Sequence, residues 1–148
     1  MRVLFICTGN TCRSCMAEAL ARHKAEKLNI PAQFYSAGIY AKKGDAASFN
    51  AVAAMKDMGI NLRGHVAVPV TAEMIDYSDI ILTMTRGQKA ILCSLFPESN
   101  GKVFTLLEYI GDAGDIIDPF GGDINTYREC SLIIATSIDK LMIKLGES

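Results

Sequence analysis

The sequence predicts an α/β fold: a three-layer sandwich with a central four-stranded parallel sheet and helices on both faces. Three observations predict it. Short apolar runs alternate with runs of helical period along the whole chain. The first run, Val3 to Cys7, is apolar throughout rather than alternating, as a strand covered on both faces must be. Helical runs separate the strands, and parallel strands need such crossovers.

The elements follow in order. Ser14 to Leu28 reads as a helix, with Met16, Ala19, Leu20 and His23 at helical spacing and Arg22, Lys24, Glu26 and Lys27 polar. Ala32 to Ala37 is a second strand, closed by Gly38. Residues 46–58 read as a helix whose apolar stripe includes Phe49, Val52, Ala53 and Met55, with Gly59 placed to stop it. Thr71 starts a short helix, Ser78 to Met84 is a third buried strand, and Arg86 to Leu95 is a helix followed by Pro97. Lys102 to Leu106 is a fourth short strand. Ile124 to Leu145 is a long helix with Leu132, Ile133, Ser137, Leu141 and Leu145 along its inner face.

The 148 residues are expected to form a single domain, residues 1–148, without repeats or linkers. The net charge of -1 offers no basic field for nucleic acid. No apolar run approaches the ~20 residues of a membrane span, and the first apolar run is too short for a secretory signal. Three of the five cysteines crowd into Cys7, Cys12 and Cys15, which is no secreted disulfide framework. The chain is therefore expected to be cytoplasmic and monomeric, with no nucleic acid or membrane as partner.

The chemistry concentrates in Cys7-Thr8-Gly9-Asn10-Thr11-Cys12-Arg13-Ser14, which joins the first strand to the first helix. Ligands of open parallel sheets bind beyond the carboxyl ends of the strands. A helix N-terminus there offers unpaired N–H groups and a positive dipole end. Gly9 and Asn10 tolerate left-handed backbone angles, so the loop can curl with its N–H groups inward. Such a cradle suits a phosphate dianion. Its positive surroundings favour a thiolate nucleophile at Cys7. Arg13 can hold two phosphate oxygens in a planar fork, and Ser14 can donate to the sulfur and help it leave. The spacing by itself is weak: residue frequencies give roughly 0.2 such Cys-to-Arg pairs by chance. The strand before it and the helix after it supply the specificity.

A departing group must be protonated, and Asp118 in Asp118-Pro119-Phe120-Gly121-Gly122 is the best candidate acid. Ile116-Ile117 is expected to anchor that loop, and Asp112 and Asp115 are nearby rivals. Read locally, Asp-Pro could equally be a plain turn before the last helix.

Together, Cys7 to Ser14 and Asp118-Pro119 resemble the low-molecular-weight protein phosphatases. Ser36-Ala37-Gly38, Gly59-Ile60 followed by His65, and Ser78-Asp79 also fall where that family has similar elements. The resemblance implies a protein phosphatase working through a cysteinyl-phosphate, without metal or cofactor, on phosphorylated proteins. It implies Cys7 as nucleophile, Arg13 as phosphate clamp and Asp118 as general acid. Thr8, Gly9, Asn10, Thr11, Cys12, Ser14 and Phe120 would contact substrate, while Asn10, Ser14, Ser36 and His65 would form the network that holds the loop. Tyrosine phosphatases of this family usually carry two tyrosines after Asp-Pro and a bulkier aliphatic residue where Thr11 stands. Thr11 with Asp-Pro-Phe-Gly-Gly is more similar to the bacterial protein-arginine phosphatases. One departure is Cys15, where the family usually has a proline.

Three rivals remain at this level. Cys12-Arg13-Ser14-Cys15 is a C-x-x-C opening a helix, as in thiol oxidoreductases. Arsenate reductases share the loop but resolve their chemistry on a close downstream cysteine pair, whereas Cys93 and Cys130 are single and far apart. A phospho-residue binding module would need the cradle and no turnover. Zinc is disfavoured, since no second close Cys/His pair accompanies the first.

Overall fold

The computed structural model describes residues 1–147. Its sheet has four parallel strands in the order β2-β1-β3-β4: β1 (Arg2–Cys7), β2 (Gln33–Gly38), β3 (Ile80–Thr83) and β4 (Val103–Thr105). Between and after them run α1 (Arg13–Leu28), α2 (Phe49–Asp57), α3 (Ala72–Tyr77), α4 (Arg86–Leu95), α5 (Leu106–Tyr109) and α6 (Ile124–Gly146). Among the described residues no helix is long and apolar enough to cross a membrane.

The continuous apolar run of β1 is divided between two cores. Val3, Phe5 and Cys7 pack with α1, α2 and α6, while Leu4 and Ile6 pack with Ile75 of α3 and Leu92 of α4. Alternate side chains of a strand point to opposite faces, so each face receives half of the run. Each such fully buried side chain contributes about 1.5–3 kcal/mol. The expected three-layer sandwich with a four-stranded parallel sheet is what forms.

Several local expectations are corrected. The second helix starts at Phe49, not at residue 46, because Ser48 caps it by accepting from the Ala51 N–H. Phe49 is not in the apolar stripe: it is 86 % exposed, two residues and therefore about half a turn away from buried Ala51. In α6, Leu132 and Ile133 are exposed, while Tyr127, Cys130, Ser131, Ile134, Ser137, Ile138, Leu141, Met142 and Leu145 form the buried stripe. Ser131 and Ser137 can lie inward because their hydroxyls donate to the carbonyls of Arg128 (2.7 Å) and Ile133 (2.8 Å). Polar residues thus occupy positions that hydropathy assigns to leucine and isoleucine. Leu106 leaves the fourth strand to begin α5, since Thr105 and Glu108 form a reciprocal capping box. The third strand is shorter than expected, because Ser78 closes α3 with its hydroxyl on the Met74 carbonyl.

Parallel pairing places the ends of β1, β2 and β3 side by side, with Cys7 opposite Gly38 and Ile6 opposite Thr83. The loop from Thr8 to Cys12 emerges at this edge, between the first strand and α1.

Candidate active site

Two neighbouring segments hold the outside of the loop. Ile39 N–H donates to the Cys7 carbonyl (3.0 Å), Tyr40 N–H to Thr8 (2.9 Å) and Ser48 N–H to Thr11 (2.9 Å). With these carbonyls occupied from outside, the loop's N–H groups are left for its concave side. Of the two residues able to tolerate left-handed angles, Asn10 adopts one (φ 58°) and Gly9 does not. A side chain at Gly38 would meet the Thr8 carbonyl at 2.7 Å and the Asn10 nitrogen at 3.0 Å, so that glycine permits the close approach of β2 to the loop.

Asn10 is fully buried, and its left-handed turn is held from four directions. Its amide Nδ2 donates to Ser14 Oγ (2.8 Å) and Ser36 Oγ (2.9 Å), and its Oδ1 accepts from Val68 N–H (3.0 Å). His65 Nε2 lies 2.6 Å from the Asn10 carbonyl, to which it donates as the Nε2–H tautomer. Ser36 in turn donates to Glu18 Oε1 (2.5 Å). The four residues expected to support the loop are therefore joined in one network.

Cys7 Sγ sits at the base of this cradle, 2.9 Å from Ser14 Oγ and 3.3 Å from the Asn10 N–H that donates to it. The N-cap of α1, Cys12, supplies no side-chain hydrogen bond, so the N–H groups of the first turn stay available to an anion. Arg13 is 4 % exposed, although charged. Its Nη1 donates to the Ile116 carbonyl (2.9 Å) and its Nη2 lies 3.6 Å from Asp118 Oδ2. Its Nε is buried without a hydrogen-bond partner among the described residues. A buried unpaired guanidinium nitrogen is costly in a resting fold, and an oxyanion in the cradle would satisfy it.

The three candidate acids separate clearly. Asp118 lies by Arg13, accepts Phe120 N–H (3.0 Å), and lies 3.9 Å from Cys12 Sγ. Asp115 is engaged by Arg86 (2.9 Å from its N–H) and Asp112 by Lys140 (2.9 Å). Only Asp118 of the three touches the phosphate-type loop. The anchor of its segment is Ile116, which is buried and donates its N–H to the Met84 carbonyl (2.9 Å). Ile117, also expected to anchor it, is 82 % exposed. Phe120 is exposed beside Asp118, and Thr11 is half-buried on the loop.

Burial pushes the Cys12 thiol up to about 12, helped by nearby Cys7 and Asp118, and pushes Cys15 well above its ordinary range. A thiol oxidoreductase needs one member of its C-x-x-C as a thiolate, and burial works against that form in both. Cys15 donates instead to the Cys12 carbonyl (3.2 Å).

Two site residues escape sequence reasoning. Glu18 reads only as a polar position of a helix, yet receives the Ser36 hydroxyl. Gln88 reads as part of an N-terminal cap after Thr85, yet its Nε2 reaches Thr8 Oγ1 (3.2 Å) from the α4 side. The Thr-x-x-Gln spacing signals the cap but not the reach.

Comparison with known proteins agrees with this geometry. Residues 2–148 match the family described as low molecular weight phosphotyrosine protein phosphatase. A protein-arginine-phosphatase of Bacillus subtilis (strain 168) is 44 % identical over 130 residues, 87 % of this chain and 86 % of the relative. The low molecular weight protein-tyrosine-phosphatase PtpB of Staphylococcus haemolyticus (strain JCSC1435) is 40 % identical over 129 residues, 87 % of this chain and 88 % of the relative. A solved structure of the YwlE arginine phosphatase, a C7S mutant with a phosphorylated active-site serine, superposes with a TM-score of 0.98. It is 39 % identical, and the match covers 100 % of this chain and 97 % of that one. With its loop, its network and this likeness over the whole sequence, the chain belongs to the low molecular weight phosphotyrosine protein phosphatase family.

Proposed function

We propose that this chain hydrolyses phosphoarginine residues in proteins through a cysteinyl-phosphate on Cys7, the whole of residues 1–148 acting as one phosphatase domain. The observation that carries the phosphatase reading is the buried, unpaired Arg13 Nε beside a loop whose base is the Cys7 sulfur. In the first step the Cys7 thiolate attacks phosphorus, the bond from phosphorus to the substrate nitrogen breaks, and Asp118 supplies the proton that the departing guanidine needs. Arg13 and the loop N–H groups hold the equatorial oxygens. In the second step water attacks the phosphocysteine, Asp118 takes its proton, and Ser14 donates to the leaving sulfur. Inorganic phosphate is released and the thiolate is regenerated.

Identity does not choose between the arginine and tyrosine branches, since relatives of both kinds lie near 40 %. The residues proposed to face the substrate support the arginine branch. Thr11 presents a short hydroxyl-bearing side chain from the loop, and Asp118 can pair with a guanidinium as well as protonate it. A longer aliphatic residue at position 11 would crowd the branched guanidinium and favour the flat face of a tyrosine ring. Thr11→Ile is expected to shift the ratio of kcat/KM for phosphoarginine over phosphotyrosine substrates by on the order of 10²-fold towards phosphotyrosine. Parallel turnover of both substrate types by the native and variant enzymes measures this. Native preference for phosphotyrosine would sink the arginine assignment and leave the phosphatase assignment standing.

Cytoplasmic location belongs to the same proposal, because five free thiols suit a reducing compartment. Redox control follows from the loop. Peroxide oxidises the Cys7 thiolate to a sulfenic acid, releasing hydroxide, and Cys12 then displaces water to form a disulfide. With the Cys12 thiol pushed up to about 12, its thiolate fraction and hence the capture rate should rise about tenfold per pH unit near neutrality. Activity should return with a thiol reductant. Peptide mapping that found only a Cys12–Cys15 link, or capture independent of pH, would count against this.

A further inference from the structure

Gln88 is 5 % exposed, and its carboxamide has a determined orientation. Oε1 accepts from two backbone N–H groups, those of Met84 (3.0 Å) and Thr85 (3.1 Å). An amide nitrogen at that position would face two donors, so the end of Gln88 that reaches Thr8 Oγ1 at 3.2 Å is the N–H₂ donor. Thr8 Oγ1 therefore acts as an acceptor towards Gln88. Its own proton has no protein acceptor among the described residues. Thr8 directly follows Cys7, it is exposed, and its carbonyl is occupied by the Tyr40 N–H.

We propose that Gln88 is a positioning residue: it fixes the direction of the Thr8 hydroxyl so that the Thr8 proton is presented to an oxygen of the phosphoryl group held in the loop. Phosphoryl oxygens only accept, so a hydroxyl that met them with a lone pair would repel, whereas one that meets them with its proton makes a charge-assisted bond. Gln88 selects the second arrangement by consuming a lone pair from behind. The same side chain closes the capping box of α4, so that helix is tied to the loop through one amide. This inference rests on the phosphatase reading of the loop, and it deepens that reading by adding a donor from outside the Cys-to-Ser motif.

The test is a double-mutant cycle between Gln88→Glu and Thr8→Val, read by kcat/KM for an aryl phosphate and by direct binding of inorganic phosphate. In Gln88→Glu one carboxylate oxygen keeps both backbone bonds, and those two N–H donors favour the ionised form. The other oxygen becomes an acceptor and takes the Thr8 proton for itself. Thr8→Val removes the hydroxyl at nearly constant shape. Each single change should lower kcat/KM and phosphate affinity about tenfold or more. The added negative charge of Gln88→Glu acts in both backgrounds, but the reversal of the hydroxyl can act only where a hydroxyl exists. The glutamate change should therefore cost about tenfold less in Thr8→Val than in the native background. Effects that multiply to within twofold overturn the proposal.

Thr8→Ser provides an arm that does not depend on how Gln88→Glu folds. It keeps the hydroxyl and should stay within about threefold of native in both measurements, while Thr8→Val falls about tenfold. Equal behaviour of the serine and valine variants also overturns the proposal. If the native protein releases no phosphate from an aryl phosphate, the phosphatase reading fails and takes this inference with it. If it does release phosphate and the cycle is multiplicative, this inference fails alone.

Discussion

In Cys7→Ser, multiple turnover is expected to fall by at least about 10⁴-fold, with the protein still folded and residue 7 able to retain a phosphoryl group. The sulfur contributes twice. A thiolate is a far stronger nucleophile than a serine hydroxyl. As a leaving group it departs from phosphorus far more readily than an alkoxide, so a serine that is phosphorylated slowly is dephosphorylated more slowly still. A solved YwlE arginine phosphatase, a C7S mutant, carries a phosphorylated active-site serine. The fold has no reason to suffer: the Asn10 N–H and the Ser14 hydroxyl can bond an oxygen as well as a sulfur.

The control is Cys15→Ser. Cys15 donates to the Cys12 carbonyl, a serine hydroxyl can make the same bond, and no chemistry is assigned there. Activity within about twofold of native is expected. Intact-mass measurement after incubation with an aryl phosphate detects the trapped species, and release of inorganic phosphate gives the rate. Similar losses in the two variants would show that the division between a reacting and a packing cysteine is wrong.

Much of this site could be read from the chain because its central part is continuous. Cys7 to Ser14 is one strand-to-helix connection, and the physics of anion binding at a helix N-terminus applies to it without knowledge of any distant contact. The apolar run of β1 likewise announces a strand covered on both faces, and Phe5 and Ile6 lie fully buried in opposite cores. Asp118 is different. Its Asp-Pro pattern is locally ambiguous with a turn, and it joins the site only when Arg13 reaches across to Ile116 and Asp118.

What could not be read depends on strand order. Gln88 lies in the first turn of α4, just beyond the end of β3, and Thr8 follows Cys7, at the end of β1. Only the pairing of Ile6 with Thr83 makes these two ends neighbours. Glu18 needs the packing of α1 against the end of β2 before it can meet Ser36. The inward serines of α6 defeat hydropathy for a related reason: a hydroxyl bonded to its own helix carries little polarity into the core. His65 is intermediate, since only its bond to the Asn10 carbonyl distinguishes it from an ordinary half-buried histidine.

The acid gives the second large effect. In Asp118→Asn, kcat/KM for substrates with poor leaving groups is expected to drop by roughly 10²–10⁴-fold. For an activated aryl phosphate, the loss should stay within about tenfold, because a nitrophenolate leaves without a proton. The contrast between substrates matters more than either loss, for it separates proton donation from a general disturbance of the loop. Asparagine is a near-isostere that can still accept the Phe120 N–H and stay beside Arg13, but it has no proton to give at the required moment. Asp115→Asn is the matched comparison. Asp115 faces Arg86 in a surface pair, which contributes at most about 1 kcal/mol, and it has no contact with the loop. Its loss should therefore be small and equal for good and poor leaving groups. A leaving-group dependence in Asp115→Asn, with none in Asp118→Asn, would transfer the acid's role to the other carboxylate and detach it from the Arg13 contact that supports the present assignment.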